Sequence, residues 1–124
     1  LGDDGLHLVQ TWQRYRSWQR ETPGWAVERT NERVLDDVRA WPSSAPTYSS
    51  LFDYEISGLL GKISLPLLVM APRDDIWVQT KRGLELLPEH AEVVDLSHLT
   101  HEIFGLHPDV IAGHIRRFLD SLGR

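Results

Sequence analysis

The stretch Lys62-Ile63-Ser64-Leu65-Pro66-Leu67-Leu68-Val69-Met70-Ala71-Pro72-Arg73-Asp74-Asp75 joins a continuous apolar run to a polar turn. Continuous rather than alternating hydrophobicity is what a strand covered on both faces shows, so residues 63–71 are expected to form one. Downstream, Gln79 to Leu87 reads as a helix with Leu84 and Leu87 on its buried side and Pro88 as its stop. Glu92-Val93-Val94-Asp95-Leu96 reads as a second short strand. A final helix is expected from about Pro108 to Leu122, with Pro108 in the first turn and Val110, Ile111, Ile115, Phe118 and Leu119 on one stripe. Strand, helix, strand, helix implies two parallel strands joined by a right-handed crossover. The expected fold class is α/β. Two parallel strands make a poor sheet alone, because their outer edges leave backbone groups unpaired. More sheet is expected to come from elsewhere.

Working toward the start, a short helix fits Asp53 to Leu60, with Gly61 as its C-terminal cap. Pro42 to Ser50 is rich in Pro, Ser and Thr and reads as a loop. Trp25 to Trp41 fits a helix with Val27, Val34, Val38 and Trp41 along one side, stopped by Pro42. Asp4 to about Arg20 fits another, with Leu8, Trp12, Tyr15 and Trp18 at helical spacing, Asp4 as a cap and Pro23-Gly24 as the break. The chain therefore divides into a helical segment, residues 1–61, and a strand-bearing segment, residues 62–124.

Composition excludes several classes. The 124 residues carry a net charge of -5, with 41% hydrophobic and 25% charged side chains, an ordinary globular balance. The densest basic group, Arg14, Arg16 and Arg20, lies among tryptophans and glutamines on one expected helix. A nucleic-acid partner is not expected, since phosphate binding needs a clustered basic face. No apolar run approaches the roughly 20 residues of a spanning helix, so no membrane partner is expected. The chain has no cysteine and nothing that reads as a signal peptide, and the expected location is cytoplasmic. Met70 is the single methionine, which leads us to expect a portion of a longer or cleaved polypeptide.

In open parallel sheets, ligands sit beyond the carboxyl ends of the strands. Two polar clusters occupy that edge: Arg73-Asp74-Asp75 after the first strand and Ser97-His98-Leu99-Thr100-His101-Glu102 after the second. If the strands are neighbours, a carboxylate and an imidazole can meet there. Such a carboxylate holds one ring nitrogen as N–H and leaves the other to take a proton. Taken singly, an Asp in a turn is more often a turn-former, and a loop His more often a solvated one. His98 and His101, with Glu102 close by, suggest a metal site only faintly. No metal or other cofactor is expected, and no glycine-rich phosphate loop occurs.

Residues Ile63 to Leu119 resemble the C-terminal part of the α/β-hydrolase family. The segment Lys62 to Ala71, with Pro66 ahead of the apolar run, is similar to the family's entry into its penultimate strand. There the triad acid lies three residues after a small residue at the strand end, and counting from Ala71 gives Asp74. The family's catalytic His follows the last strand, with a proline opening the final helix beyond it. Counting back from Pro108 gives His101. Asp75 and His98 are the neighbours competing for those roles. Where the family usually has glycine, this chain has Ala71 and Thr100. Asp3-Asp4-Gly5-Leu6-His7-Leu8, followed by Trp12, is similar to a segment in the lid of some members. The resemblance thus implies a helical lid over residues 1–61, then two parallel strands and flanking helices from the hydrolase core. Trp12, Tyr15, Trp18, Trp25, Trp41, Tyr48, Phe52 and Tyr54 could line a pocket for a small apolar or aromatic acyl group, or simply pack.

The family's nucleophile sits in a Gly-X-Ser-X-Gly elbow, and no such motif occurs here. The resemblance therefore implies a hydrolase of esterase type, assembled as a heteromer, whose nucleophile-bearing N-terminal portion is another chain. The chain by itself is expected to be inactive. Two other classes compete: a degenerate hydrolase relative that binds or assembles without catalysis, and a cofactor-free lyase or cyclase that uses His101 as a base without acylation.

Overall fold

The computed structural model describes residues 4–52 and 54–123 of the chain. It combines helices with a small parallel sheet, a mixed α/β class. The chain forms two compact units, Leu1–Tyr54 and Glu55–Arg124.

The first unit is a helical hairpin of α1 (Leu6–Glu21) and α2 (Val27–Phe52). Asp4 accepts the Leu6 amide through Oδ1 at 3.0 Å and so serves the start of α1. Between the helices, the Trp25 amide donates to the Thr22 carbonyl at 3.3 Å around Pro23 and Gly24, the latter at φ 83°. Proline second and a positive-φ glycine third is the type II turn arrangement, which L side chains resist at the third position. Gln19 Nε2 then donates to the Trp25 carbonyl at 2.8 Å, tying the end of α1 to the entry of α2. Trp25 is buried along with Thr11, Thr22 and Thr30. An ion pair from Arg14 to Asp37 links the two helices. The sequence leads us to expect a stop at Pro42 and a loop to Ser50, but α2 continues through Pro42 and Pro46 to Phe52. A proline deletes one backbone hydrogen bond and crowds the preceding turn; in a helix of 26 residues the remaining bonds carry the chain past it.

The second unit contains α3 (Ser57–Leu60), β1 (Leu68–Pro72), α4 (Trp77–Leu84), β2 (Glu92–Leu96), α5 (Ile103–Leu106) and α6 (Pro108–Ser121). The strands are parallel neighbours, with Leu68 opposite Glu92 and Pro72 opposite Leu96, so their carboxyl ends are level. β1 begins later than the apolar run does, because the ladder with its partner starts at Glu92, opposite Leu68. The first bond joining the two segments is from the Glu92 amide to the Leu67 carbonyl, at 2.8 Å. Ahead of it, His90 Nε2 meets the Leu65 carbonyl at 3.1 Å and ties down the approach to the strand. Leu96, Ile103 and Ile111 form the core, with Met70, Val94 and Leu99 packed on it, so α5 and α6 cover the sheet face carrying Met70, Val94 and Leu96.

The compact units divide at Tyr54 and Glu55, ahead of the boundary at residues 61 and 62 drawn from sequence. The backbone supplies the reason. Gly61, which ends α3, lies so close to the Leu86 carbonyl that a Cβ there would stand 3.5 Å from it. Residues 55–61 therefore pack with the strand-bearing unit. Much apolar surface of this unit stays open: Leu65 is 72% and Phe104 68% exposed, and Ile76, Val78 and Val93 are also exposed.

Candidate functional site

The site lies at the carboxyl end of the sheet and grows from one backbone bond. Past β1, the Arg73 amide donates to the Leu99 carbonyl at 2.8 Å. Past β2, the Leu99 amide donates to the Leu96 carbonyl at 2.7 Å, closing a tight turn over Ser97 and His98. The two loops are thereby held side by side at a fixed register.

From this bond the first loop turns at Asp74. Its Oδ1 accepts the Ile76 amide at 3.1 Å and its carbonyl accepts the Trp77 amide at 3.2 Å, so Asp74 builds the turn that launches α4. An aspartate is well suited to this, since its short side chain reaches the backbone two residues on. The next residue, Asp75, places Oδ1 3.8 Å from Nδ1 of His101. The imidazole is mostly enclosed, with its side chain 12% exposed, while Asp75 is half exposed. Both residues stand two positions beyond the Arg73–Leu99 bond.

His101 is followed by Glu102, at φ 58° and ψ 30°, the left-handed region that non-glycine residues enter at a cost. This bend lets the chain reverse from the loop into α5, where the Gly105 and Leu106 amides both return to the Glu102 carbonyl. The short helix α5 then supplies Ile103 to the core directly beneath the loop.

The remaining candidates separate. His98 is exposed and contributes its charge to Asp95. The Asp95 carboxyl is held below its ordinary range chiefly by the Ser97 hydroxyl, then by the Ser97 amide, with slight burial opposing and His98 assisting. The carboxylate found beside His101 is that of Asp75, and Asp74 is engaged with the amide of Ile76. Among the described residues no group of three or more His, Asp or Glu could hold a metal ion, and no helix is long and apolar enough to cross a membrane.

The aromatic residues of the first unit do not share one environment. Trp25 is core, Tyr15 and Trp18 meet edge to face at 5.1 Å, and Trp12 and Tyr54 are exposed. The Arg14 guanidinium stands over both the Tyr15 and Trp18 rings at 5.5 Å. The side chains of Trp41, Tyr48 and Phe52 lie outside the described residues.

Sequence reasoning missed the Arg73–Leu99 bond and the left-handed Glu102. Glutamate is a poor signal for positive φ, and a backbone bond between two loops leaves no mark in residue type. Comparison with known proteins gave no match to a family model, to a curated protein or to a solved structure.

Proposed function

We propose that this chain is the acid- and base-bearing portion of an α/β-hydrolase, acting on ester-like or amide-like bonds once a nucleophile-bearing N-terminal portion from another chain completes it. The observation that carries the reading is the 3.8 Å approach of a carboxylate to Nδ1 of a nearly enclosed histidine, at the level carboxyl ends of two parallel strands. A carboxylate on Nδ1 keeps that nitrogen as N–H and assigns the basic lone pair to Nε2. Nε2 of His101 takes the proton of the incoming serine hydroxyl as its oxygen attacks the carbonyl carbon. The tetrahedral adduct then collapses, and His101 returns the proton to the departing alcohol or amine. Water enters by the same route, His101 again removing and returning one proton, to free the acid.

The need for a second portion rests on the sheet. Two strands leave two outer edges, and Val93 on β2, Leu65 before β1 and Phe104 on α5 keep apolar surface open that further strands and helices would cover. The helical hairpin of the first unit supplies the lid, and the acyl group accepted is small and apolar or aromatic.

The test is complementation. The chain is mixed with, or joined to, a hydrolase front portion bearing an elbow serine, and p-nitrophenyl ester hydrolysis is followed. The expected result is turnover from the assembly, none from the chain alone, and loss of about 10⁶ in kcat for His101→Ala. An assembly that binds ester but neither turns over nor labels with a serine-directed phosphonate would make the chain a binding module. Turnover without labelling would make it a lyase or cyclase.

A further inference from the structure

We propose that Asp75, rather than its neighbour Asp74, is the positioning residue that orients His101, and that Asp74 serves as the turn-former holding Asp75 in place. The assignment rests on the hydrolase reading for its catalytic meaning, but its geometry stands independently. The spacing rule that selects Asp74 counts residues from the strand end. The chain does not run straight there. The Arg73–Leu99 bond fixes where the two loops run together, and Asp75 and His101 each lie two residues beyond it. Asp74, one residue beyond, turns its carboxylate along its own backbone to the Ile76 amide. That bond and the Asp74 carbonyl's bond to Trp77 set the first turn of α4. Turning Asp74 toward the imidazole would break the first of these, whereas Asp75 approaches Nδ1 with the turn intact.

At 3.8 Å the two atoms are within ion-pair reach, and a charge-assisted hydrogen bond closes at about 2.8 Å. Catalytic hydrogen bonds are often long in uncomplexed sites and tighten as the site fills. Half-exposed Asp75 has room for the side-chain rotation that closes the gap. The role is orientation: the Nδ1 proton stays on the ring, so the proton from a substrate hydroxyl has Nε2 as its destination.

The test reads the tautomer of the neutral ring and needs no turnover. The full chain is labelled with ¹⁵N-histidine, and the His101 nitrogens are recorded at a pH where the ring is neutral, for the parent and for Asp75→Ala, Asp75→Asn and Asp74→Ala. The expected result is an Nδ1–H ring in the parent and in D74A, and a shift toward Nε2–H in D75A and D75N. D74A is expected instead to reduce helical content by circular dichroism, as α4 loses its starting turn. D75N keeps side-chain volume and guards against a folding artefact in D75A. A tautomer that follows Asp74, or one that neither residue moves, overturns the assignment. Failure of complementation alongside an Asp75-dependent tautomer would overturn the hydrolase reading and leave this assignment standing.

Discussion

The amide of Arg73 and the carbonyl of Leu99 share a 2.8 Å hydrogen bond beyond the ends of β1 and β2, where the strands themselves have already stopped. The strand register would set Arg73 opposite Ser97, so this bond lies outside it and ties together two loops that would otherwise diverge. Loop residues make good functional groups when a rigid scaffold positions them, and here that positioning is a backbone property. What the bond holds together is the pair Asp75 and His101.

The core beneath the site is small, so its largest buried side chain should matter greatly. Leu96 is 1% exposed and touches both α5 and α6 through Ile103 and Ile111. Leu96→Ala is expected to lower unfolding free energy by about 3 kcal/mol. Val93→Ala, on the same strand but 45% exposed, is expected to cost under about 1 kcal/mol. Urea unfolding of the two variants checks the contrast.

Thr30 in α2 is fully buried, and its hydroxyl has no hydrogen-bond partner among the described residues. A buried polar group left unpaired costs about 1–3 kcal/mol. Thr30→Val keeps the shape and removes the penalty, so a gain of about 1 kcal/mol is expected. Thermal and urea unfolding read it directly, and an equally large loss would mean that the hydroxyl is satisfied in solution.

Glu102 is held at φ 58° immediately after His101. A β-branched residue resists this conformation most strongly, and glycine adopts it freely. Glu102→Val is expected to be less stable than Glu102→Gly by about 1–2 kcal/mol. Both variants remove the glutamate's contacts, so their difference reports the cost of a branched side chain at positive φ, less the extra freedom glycine gives the unfolded chain. Denaturant midpoints measured at equal pH give that difference.

Asp95 carries a pH prediction of definite sign. Ser97, first through its hydroxyl and then through its amide, holds the folded carboxyl below its ordinary value of 3.8. A folded value below the unfolded one stabilises the fold above the ordinary value, and the contribution disappears as pH falls through the folded value. Ser97→Ala removes the larger cause, so the Asp95 titration should move up toward 3.8, and the contribution of Asp95 to stability should shrink and finish disappearing at a higher pH. Carboxyl-detected NMR titration follows the group itself.

The strand Glu92–Leu96 was legible residue for residue, and Pro108 marked the start of α6, because a valine-rich run and a first-turn proline are local signals. The parallel pairing followed from order alone. Other features depended on neighbours. β1 begins at Leu68 because that is where its partner's ladder begins, and α2 runs through Pro42 and Pro46 where sequence suggests a stop. At the site, spacing brought a carboxylate and His101 to the same edge. Which of the adjacent aspartates faces the ring depends on the torsions of one turn, and those follow from the Ile76 amide seeking an acceptor.

The parallel pair β1–β2 has a consequence for isotope labelling. Along a strand, alternate amides point to opposite sides, so with a single neighbour roughly half of each strand's N–H groups face outward. In deuterium oxide the outward set should lose protons rapidly while the inward set is retained. A chain that docks along one edge would slow the outward amides of that strand only. The pattern of slowed amides would then name the strand that receives it, before any substrate is known.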